Sequence, residues 1–161
     1  MKYHESQQVM PQWVLLAVVA INVGLFLLFA YIFYSQTVLE KPFGEKPISS
    51  EMALLLCLLV GLIIYFVYRL RIRIKVTDQE LLVNLGSWVG KKNIKLTDIE
   101  QVTDYVGNPA ADFLGFGYRF GLKQTGFVGR PKEAIVLDIK GQTRQLVITT
   151  NNPEKLKSAL R

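Results

Sequence analysis

The chain is poor in the residues on which most catalytic and metal sites depend. Its 161 residues include one histidine, His4, and one cysteine, Cys57. One cysteine cannot form an internal disulfide, and without a CxxC pair or a Cys/His cluster no donor set for a metal is evident. Ser-His-Asp, Cys-His and histidine–metal arrangements are therefore excluded, and we expect no catalytic residue, no cofactor and no metal.

Charge is almost absent from two long segments in the first 70 residues. Residues 13–34 carry no charge, and at a helical rise of about 1.5 Å per residue they span about 33 Å, enough for a hydrocarbon core of about 30 Å. Residues 52–70 span about 28 Å and carry one charge, Arg69, near their end, from where its side chain reaches the headgroups. The sequence therefore predicts a transmembrane helical hairpin as domain 1–70.

The first segment differs from a cleaved signal peptide. Its apolar run is longer than the usual h-region of about 7–15 residues, and no A-x-A-like site follows it. Four cations lie at the end of the second span or just after it, namely Arg69, Arg71, Arg73 and Lys75, whereas the loop between the spans balances its lysines with glutamates. We therefore expect a multi-pass protein of the cytoplasmic (inner) membrane, with both termini in the cytoplasm.

Small and polar residues in the spans predict how the helices pack. Ala20 and Gly24 form a small-xxx-small step in the first span, and Gly61 lies in the middle of the second, so we expect a close approach there. Asn22 is uncharged, and two helices cannot enclose a pore. An interhelical hydrogen bond is therefore favoured for Asn22 over a transport path. Cys57 is expected to serve packing.

Residues 71–161 are patterned as short strands. Ile72, Ile74 and Val76 alternate with basic residues, a period of two that predicts a half-buried strand. Further strands are expected, in chain order, at 81–85, 91–96, 99–105, 116–123, 134–139 and 143–149. Asn152 before Pro153 predicts the start of a closing helix. About seven strands and one C-terminal α-helix predict a small β-barrel or sandwich as domain 71–161.

Positive charge is concentrated in this second region. Residues 69–161 hold sixteen Lys and Arg against nine Asp and Glu, a net charge of +7. No linker separates the second span from the first strand, so Arg71, Arg73 and Lys75 are expected near anionic headgroups, each contributing about 1 kcal/mol. The alternative interpretation is that these cations only set the topology.

Two further segments could contact a membrane or a partner. Arg119 lies in the glycine-rich stretch 115–121, where no Lys-Ser/Thr pair and no helix follow, so a phosphate loop is excluded. A strand with an outward Arg119 is favoured there over an arginine that binds a lipid phosphate or a partner carboxylate. Phe127 and Arg130 lie in segment 124–132, which contains Gly126 and Gly129. A solvated hairpin end is favoured there over a contact with a membrane or a partner. No nucleic-acid binding is expected.

Four short motifs carry a family resemblance: 77–81, 94–99, 115–119 and 147–156. With the order of strands and helix, they resemble the pleckstrin-homology-like (PH-like) fold, and more narrowly the bacterial PH-like domains that follow a pair of transmembrane helices. The resemblance implies binding or scaffolding, by analogy of fold. Phosphoinositide-binding proteins of this fold use a long basic first hairpin loop. The loop is short and acidic here, Thr77–Glu80, so we expect only weak, non-specific contact with anionic lipids.

Two hypotheses of function follow. The first is a non-enzymatic, membrane-anchored adaptor or accessory subunit whose PH-like domain contacts the inner leaflet and a protein partner in a membrane complex. The second is a membrane enzyme or transporter component with an unrecognised site. The single exposed histidine and the lack of charge deep in the spans favour the first.

Overall fold

The chain divides into two units. The computed structural model describes residues 2–41, 43–44, 46–86 and 89–161. Residues 12–69 form one unit, which we call the apolar hairpin, and residues 2–11 together with 70–161 form the other, which we call the β unit.

The apolar hairpin consists of two long helices, α1 (Gln12–Thr37) and α2 (Ser50–Arg69). Both are long and apolar enough to cross a membrane, and they cover the predicted spans except for Leu70. The connection between them is held by side-chain hydrogen bonds. The Ser35 hydroxyl donates to the Lys41 carbonyl at 3.0 Å, and Gln36 Nε2 donates to the Ile48 carbonyl at 3.0 Å.

Small side chains of α2 form the seam of the hairpin. The buried residues of α2 are Ala53, Cys57 and Val60. A Cβ added at Gly61 would lie 3.6 Å from the ring of Phe26 on α1. Ala53, Cys57 and Gly61 recur every fourth residue, a spacing that lets two helices approach closely.

The predicted contribution of α1 to this seam is wrong. Ala20 is exposed, and a Cβ added at Gly24 would meet nothing within 4 Å. Asn22 Nδ2 donates to the Val18 carbonyl at 2.8 Å, within its own helix. A short amide side chain readily bonds to the carbonyl one turn earlier, so Asn22 satisfies its donor locally and not across the hairpin.

The β unit contains, within its described residues, nine strands in two sheets. The four-stranded sheet has the order β1 (Tyr3–Gln8), β2 (Arg71–Val76), β3 (Glu80–Leu85) and β4 (Val89–Lys95). The other five strands are, in chain order, β5 (Ile99–Asp104), β6 (Gly117–Phe120), β7 (Gln124–Val128), β8 (Ala134–Ile139) and β9 (Gln145–Thr149). Their sheet order is β5-β8-β9-β7-β6, and only the pair β7 and β9 is parallel.

Helical segments in the β unit are short. A 3-10 turn, Leu96–Asp98, joins β4 to β5, and α3 (Pro109–Asp112) follows β5. The chain closes with α4 (Pro153–Leu160), which begins at the predicted proline. Leu156, Ala159 and Leu160 are its buried residues. A mostly β unit with a C-terminal helix is thus confirmed.

The first strand, β1, lies outside the predicted β domain 71–161. It pairs antiparallel with β2, with Gln8 opposite Arg71. The Glu5 carboxylate fixes β1 from the other side, accepting hydrogen bonds from the Tyr3 and Thr150 hydroxyls, each at 2.6 Å. The predicted boundary at residue 70 therefore assigned the N-terminal tail to the wrong unit, because this polar tail becomes a strand only through pairing with β2.

The larger of the two hydrophobic clusters among the described residues of the β unit contains side chains from both sheets and forms its main core. Ile72, Ile74 and Leu81 of the four-stranded sheet and Leu137 and Ile148 of the five-stranded sheet belong to it, and all are fully buried. Tyr118 and Phe116 pack against its edge. The four-stranded sheet keeps its other face for further contacts. On the second face of the five-stranded sheet, Ala134, Val136 and Val147 form another buried cluster, against which Tyr105 and Phe113 pack.

Phe127 also belongs to the main core, with no exposed surface. Its predicted contact with membrane or partner is therefore wrong. Residues 124–128 of the segment form strand β7 and not a loop tip, and the two glycines of the segment allow close packing. A Cβ added at Gly126 would lie 3.1 Å from the ring of Phe113, and one at Gly129 would lie 2.9 Å from Gln7 Oε1.

Candidate functional site

The outer face of the four-stranded sheet is basic. Strand β2 alternates exposed cations with buried aliphatic residues, which places Arg71, Arg73 and Lys75 on the outside. Lys91 and Lys95 of β4 are also exposed, and Ile94 between them is buried. We call this surface the basic face and define it by its five cations, Arg71, Arg73, Lys75, Lys91 and Lys95.

Strand register brings the members of the basic face together. Asn84 of β3 lies between its neighbours Arg73 and Lys91, and His4 of β1 is the direct partner of Lys75. Neighbouring strands lie about 4.8 Å apart, so Arg73 and Lys91 are separated by about 10 Å across the sheet. The sequence indicated the β2 cations by their alternation. Lys91, Lys95 and His4 were missed because their positions depend on the pairing of β1 and β4.

Negative charge is scarce on the basic face. Glu80 of β3 is its one acidic position within the described strands, and it is in register with Lys95. Among the described residues, the salt bridges of Lys157, with Asp104 at 3.0 Å and Glu154 at 2.6 Å, involve no cation of the basic face. The cations of the basic face are therefore not neutralised by described carboxylates.

The other predicted cations are not on the basic face. Arg69 ends α2 in the apolar hairpin, and its guanidinium carbon lies 5.3 Å from the centroid of the Tyr65 ring. Arg130 is exposed and follows β7, where its backbone N–H donates to the Gln8 carbonyl at 2.9 Å.

Arg119 lies on β6, in the five-stranded sheet, and forms a hydrogen bond with the segment that precedes β6. Its Nε donates to the Phe116 carbonyl at 2.9 Å. A Cβ added at Gly115, whose φ is +137°, would lie 2.8 Å from Arg119 Nη2. The absence of a side chain at Gly115 therefore leaves space for the Arg119 guanidinium beside the backbone. Arg119 is exposed, in agreement with the favoured interpretation of an outward side chain on a strand.

A second surface is apolar. In the described part of the β unit, the large hydrophobic residues that are exposed are Val106, Leu114, Phe120 and Leu122, at 70% or more each. Leu114, Phe120 and Leu122 line one groove, and we call these three residues the apolar cluster. The predicted strand 116–123 ends at Phe120, and a turn closed by Gly121 N–H donating to the Gln124 carbonyl follows. The alternation therefore stops, and Phe120 and Leu122 face solvent.

A groove of about 560 Å³ runs beside the apolar cluster and is lined by Leu114, Phe120, Leu122, Lys123 and Tyr105, among others. The Tyr105 hydroxyl donates to Asp112 Oδ2 at 2.8 Å. Burial and this acidic partner raise the pKa of Tyr105 to about 12. Tyr105 therefore stays protonated at neutral pH and closes the loop that carries α3.

These surfaces suit binding. Among the described residues, no group of three His, Cys, Asp or Glu could hold a metal ion. No family model, no curated protein and no solved structure matches this chain.

Proposed function

We propose that this chain is a non-enzymatic, membrane-anchored binding module, an adaptor or accessory subunit. In this proposal the apolar hairpin crosses the bacterial inner membrane twice. The β unit is a PH-like domain on the cytoplasmic side, and its basic face contacts anionic headgroups without strong preference.

Pairing of β1 with β2 supports the topology. Gln8 precedes α1, Arg71 follows α2, and the two are partners in one sheet. Two residues in one sheet lie on one side of a bilayer, so the chain between them crosses an even number of times. The cations that follow α2 favour the cytoplasm for that side.

The observation that carries the proposal is the basic face. Five cations on one sheet surface, with Glu80 as their one acidic neighbour in the described strands, provide a field that an anionic surface attracts. Each basic residue near such a surface contributes about 1 kcal/mol, within a Debye length of about 8 Å. One residue, Leu70, separates Arg71 from the last residue of α2, and we therefore assign the headgroup contact to this face.

We assign the apolar cluster as the binding site for the protein partner of the proposed complex. Exposed apolar patches of this kind mark interaction sites. The groove lies on the five-stranded sheet, and a basic face turned to lipid leaves the opposite sheet to the cytoplasm. The expected occupant is an apolar segment of a partner with an acidic group that pairs with Lys123.

Copurification in mild detergent tests this binding site. Leu122→Ser should release the partner, and the control Leu82→Ser should not. Retention of the partner by both variants contradicts the assignment.

Lysine protection tests the membrane contact. The full chain is reconstituted in nanodiscs of phosphatidylcholine, with or without phosphatidylglycerol, and its amines are labelled and located by mass spectrometry. Phosphatidylglycerol should slow the labelling of Lys75 and Lys91 relative to Lys155, an exposed lysine of α4. Moderate salt should abolish the difference. Equal labelling of all three lysines in both kinds of nanodisc would contradict the proposal.

A further inference from the structure

A small concavity opens within the basic face. Its volume is about 240 Å³, less than the range of about 300–1,000 Å³ typical of pockets for drug-sized ligands. Four strands contribute to its lining, which consists of His4, Arg73, Lys75, Leu82, Val83, Asn84 and Lys91. A site of this size suits one small headgroup.

Three cations, from strands β2 and β4, contribute to the lining. Arg73 and Lys75 are two residues apart on β2, about 7 Å, and Lys91 faces Arg73 from the far side of β3. No carboxylate contributes to the lining. Within the described residues, no hydrogen bond or ion pair engages the side chains of these three cations, so their donors remain available to a ligand.

The floor of the concavity has an unsatisfied polar atom. Asn84 Oδ1 is buried and has no hydrogen-bond partner among the described residues. A buried acceptor without a donor destabilises the protein, because it has lost its hydrogen bonds to water. A ligand hydroxyl would satisfy this oxygen, and rotation of the amide would instead present Nδ2 as a donor to an anion.

We infer that this concavity binds a phosphate ester. Arg73 supplies a bidentate donor pair, which matches the geometry of a phosphate, and Lys75 and Lys91 neutralise its remaining charge. The inference rests on the proposed function and deepens it, because it places a preference for phosphate within a face otherwise attracted to any anion. The phosphate comes from a lipid headgroup or from a soluble compound.

Titration of the full chain distinguishes these sources. In phosphatidylcholine nanodiscs, inorganic phosphate is added and the NMR signals of the Arg73 guanidinium and the Asn84 amide are followed. Arg73→Gln should lower the affinity about tenfold, the loss of one charge-assisted interaction. Arg71→Gln, which removes the same charge from the same strand outside the concavity, should lower it less than about twofold. In a second arm, nanodiscs with phosphatidic acid are compared with phosphatidylglycerol nanodiscs of equal surface charge.

Each outcome has a defined meaning. Phosphate binding sensitive to Arg73 supports the site, and an added preference for phosphatidic acid identifies a lipid source, whereas its absence identifies a soluble one. Equal effects of the two arginine variants, or no phosphate-dependent shift together with no preference for phosphatidic acid, overturn the inference. Protection of Lys75 and Lys91 by phosphatidylglycerol then still supports the proposed function. Phosphate binding without that protection would instead leave the site standing and remove the membrane contact.

Discussion

The two units place the same kinds of side chain in opposite environments. In the apolar hairpin, Leu58 and Leu62 are 64% and 55% exposed, while the small residues Ala53 and Cys57 form the seam. In the β unit, large aliphatic residues fill the core and cations cover one outer face. Burial of apolar surface in water explains the β unit. It does not explain the hairpin, whose helices associate through close packing, as expected where the surroundings are themselves apolar.

Removing a core side chain of the β unit should have the largest effect. Phe127→Ala should lower the free energy of unfolding by about 3–5 kcal/mol, because the ring is fully buried and leaves a cavity. Phe120→Ala is the matched control, since that ring is 70% exposed and should lose less than about 1 kcal/mol. Urea unfolding of the full chain in detergent measures both. Similar losses for the two rings would place Phe127 outside the core.

Replacing an exposed leucine by arginine should have different effects in the two units. Leu58 and Leu122 are 64% and 98% exposed. Leu58→Arg should disfavour membrane insertion by about 2.5–3.5 kcal/mol, because its side chain would face hydrocarbon. Leu122→Arg should leave insertion and stability almost unchanged, because its side chain would face water. An insertion assay with glycosylation tags compares the two, and equal insertion would mean that α2 does not span the bilayer.

Local patterns predicted the parts of the fold that local chemistry determines. Arg71–Val76 alternates strictly, so both its strand and its outer cations could be read from the sequence. The turn after it was also predictable, since the Thr77 hydroxyl accepts a hydrogen bond from the Glu80 N–H at 3.0 Å. Helix length and apolar composition likewise located α1 and α2.

Long-range pairing determines the parts that were missed. Strand β1 is polar, and nothing in residues 3–8 indicates a strand until β2 lies beside it. The basic face also depends on long-range pairing, because Lys91 lies on the same surface as Arg73 only when both β2 and β4 pair with β3. Phe127 was misplaced because glycine suggested a loop, whereas Gly126 and Gly129 are close approaches to Phe113 and Gln7.

The seam of the hairpin should tolerate a large side chain on one helix and not on the other. Gly61→Leu should lower stability by about 1–3 kcal/mol through overpacking against Phe26, 3.6 Å from the new Cβ. Gly24→Leu should be nearly neutral, because nothing lies within 4 Å of its Cβ position. Thermal unfolding in detergent measures both variants. A larger loss at Gly24 would move the seam to the small-xxx-small step of α1.

The smallest effect concerns the N-terminal tail, which the structure assigns to the β unit. The Tyr3 hydroxyl donates to Glu5 Oε2 at 2.6 Å. Burial and the Glu5 carboxylate raise the pKa of Tyr3 from its ordinary value of about 10 to about 12. The folded state thus holds this proton more tightly than the unfolded state. The stabilisation of the folded state by the protonated Tyr3 hydroxyl is complete below pH 10 and is lost as the pH rises from about 10 to about 12.

Tyr3→Phe should therefore lower stability at neutral pH by about 0.5–1.5 kcal/mol, the contribution of a typical hydrogen bond. In this variant, the pairing of β1 with β2 should no longer weaken as the pH rises above 10. Spin labels on the exposed cross-strand partners Ser6 and Arg73 report the separation of β1 from β2. With Tyr3 present, the distance between the labels should increase above pH 10. The control is Tyr105→Phe, which removes the other tyrosine with a raised pKa and should leave that opening of β1 intact. If β1 opens equally with and without the Tyr3 hydroxyl, the tail is held by its backbone pairing alone.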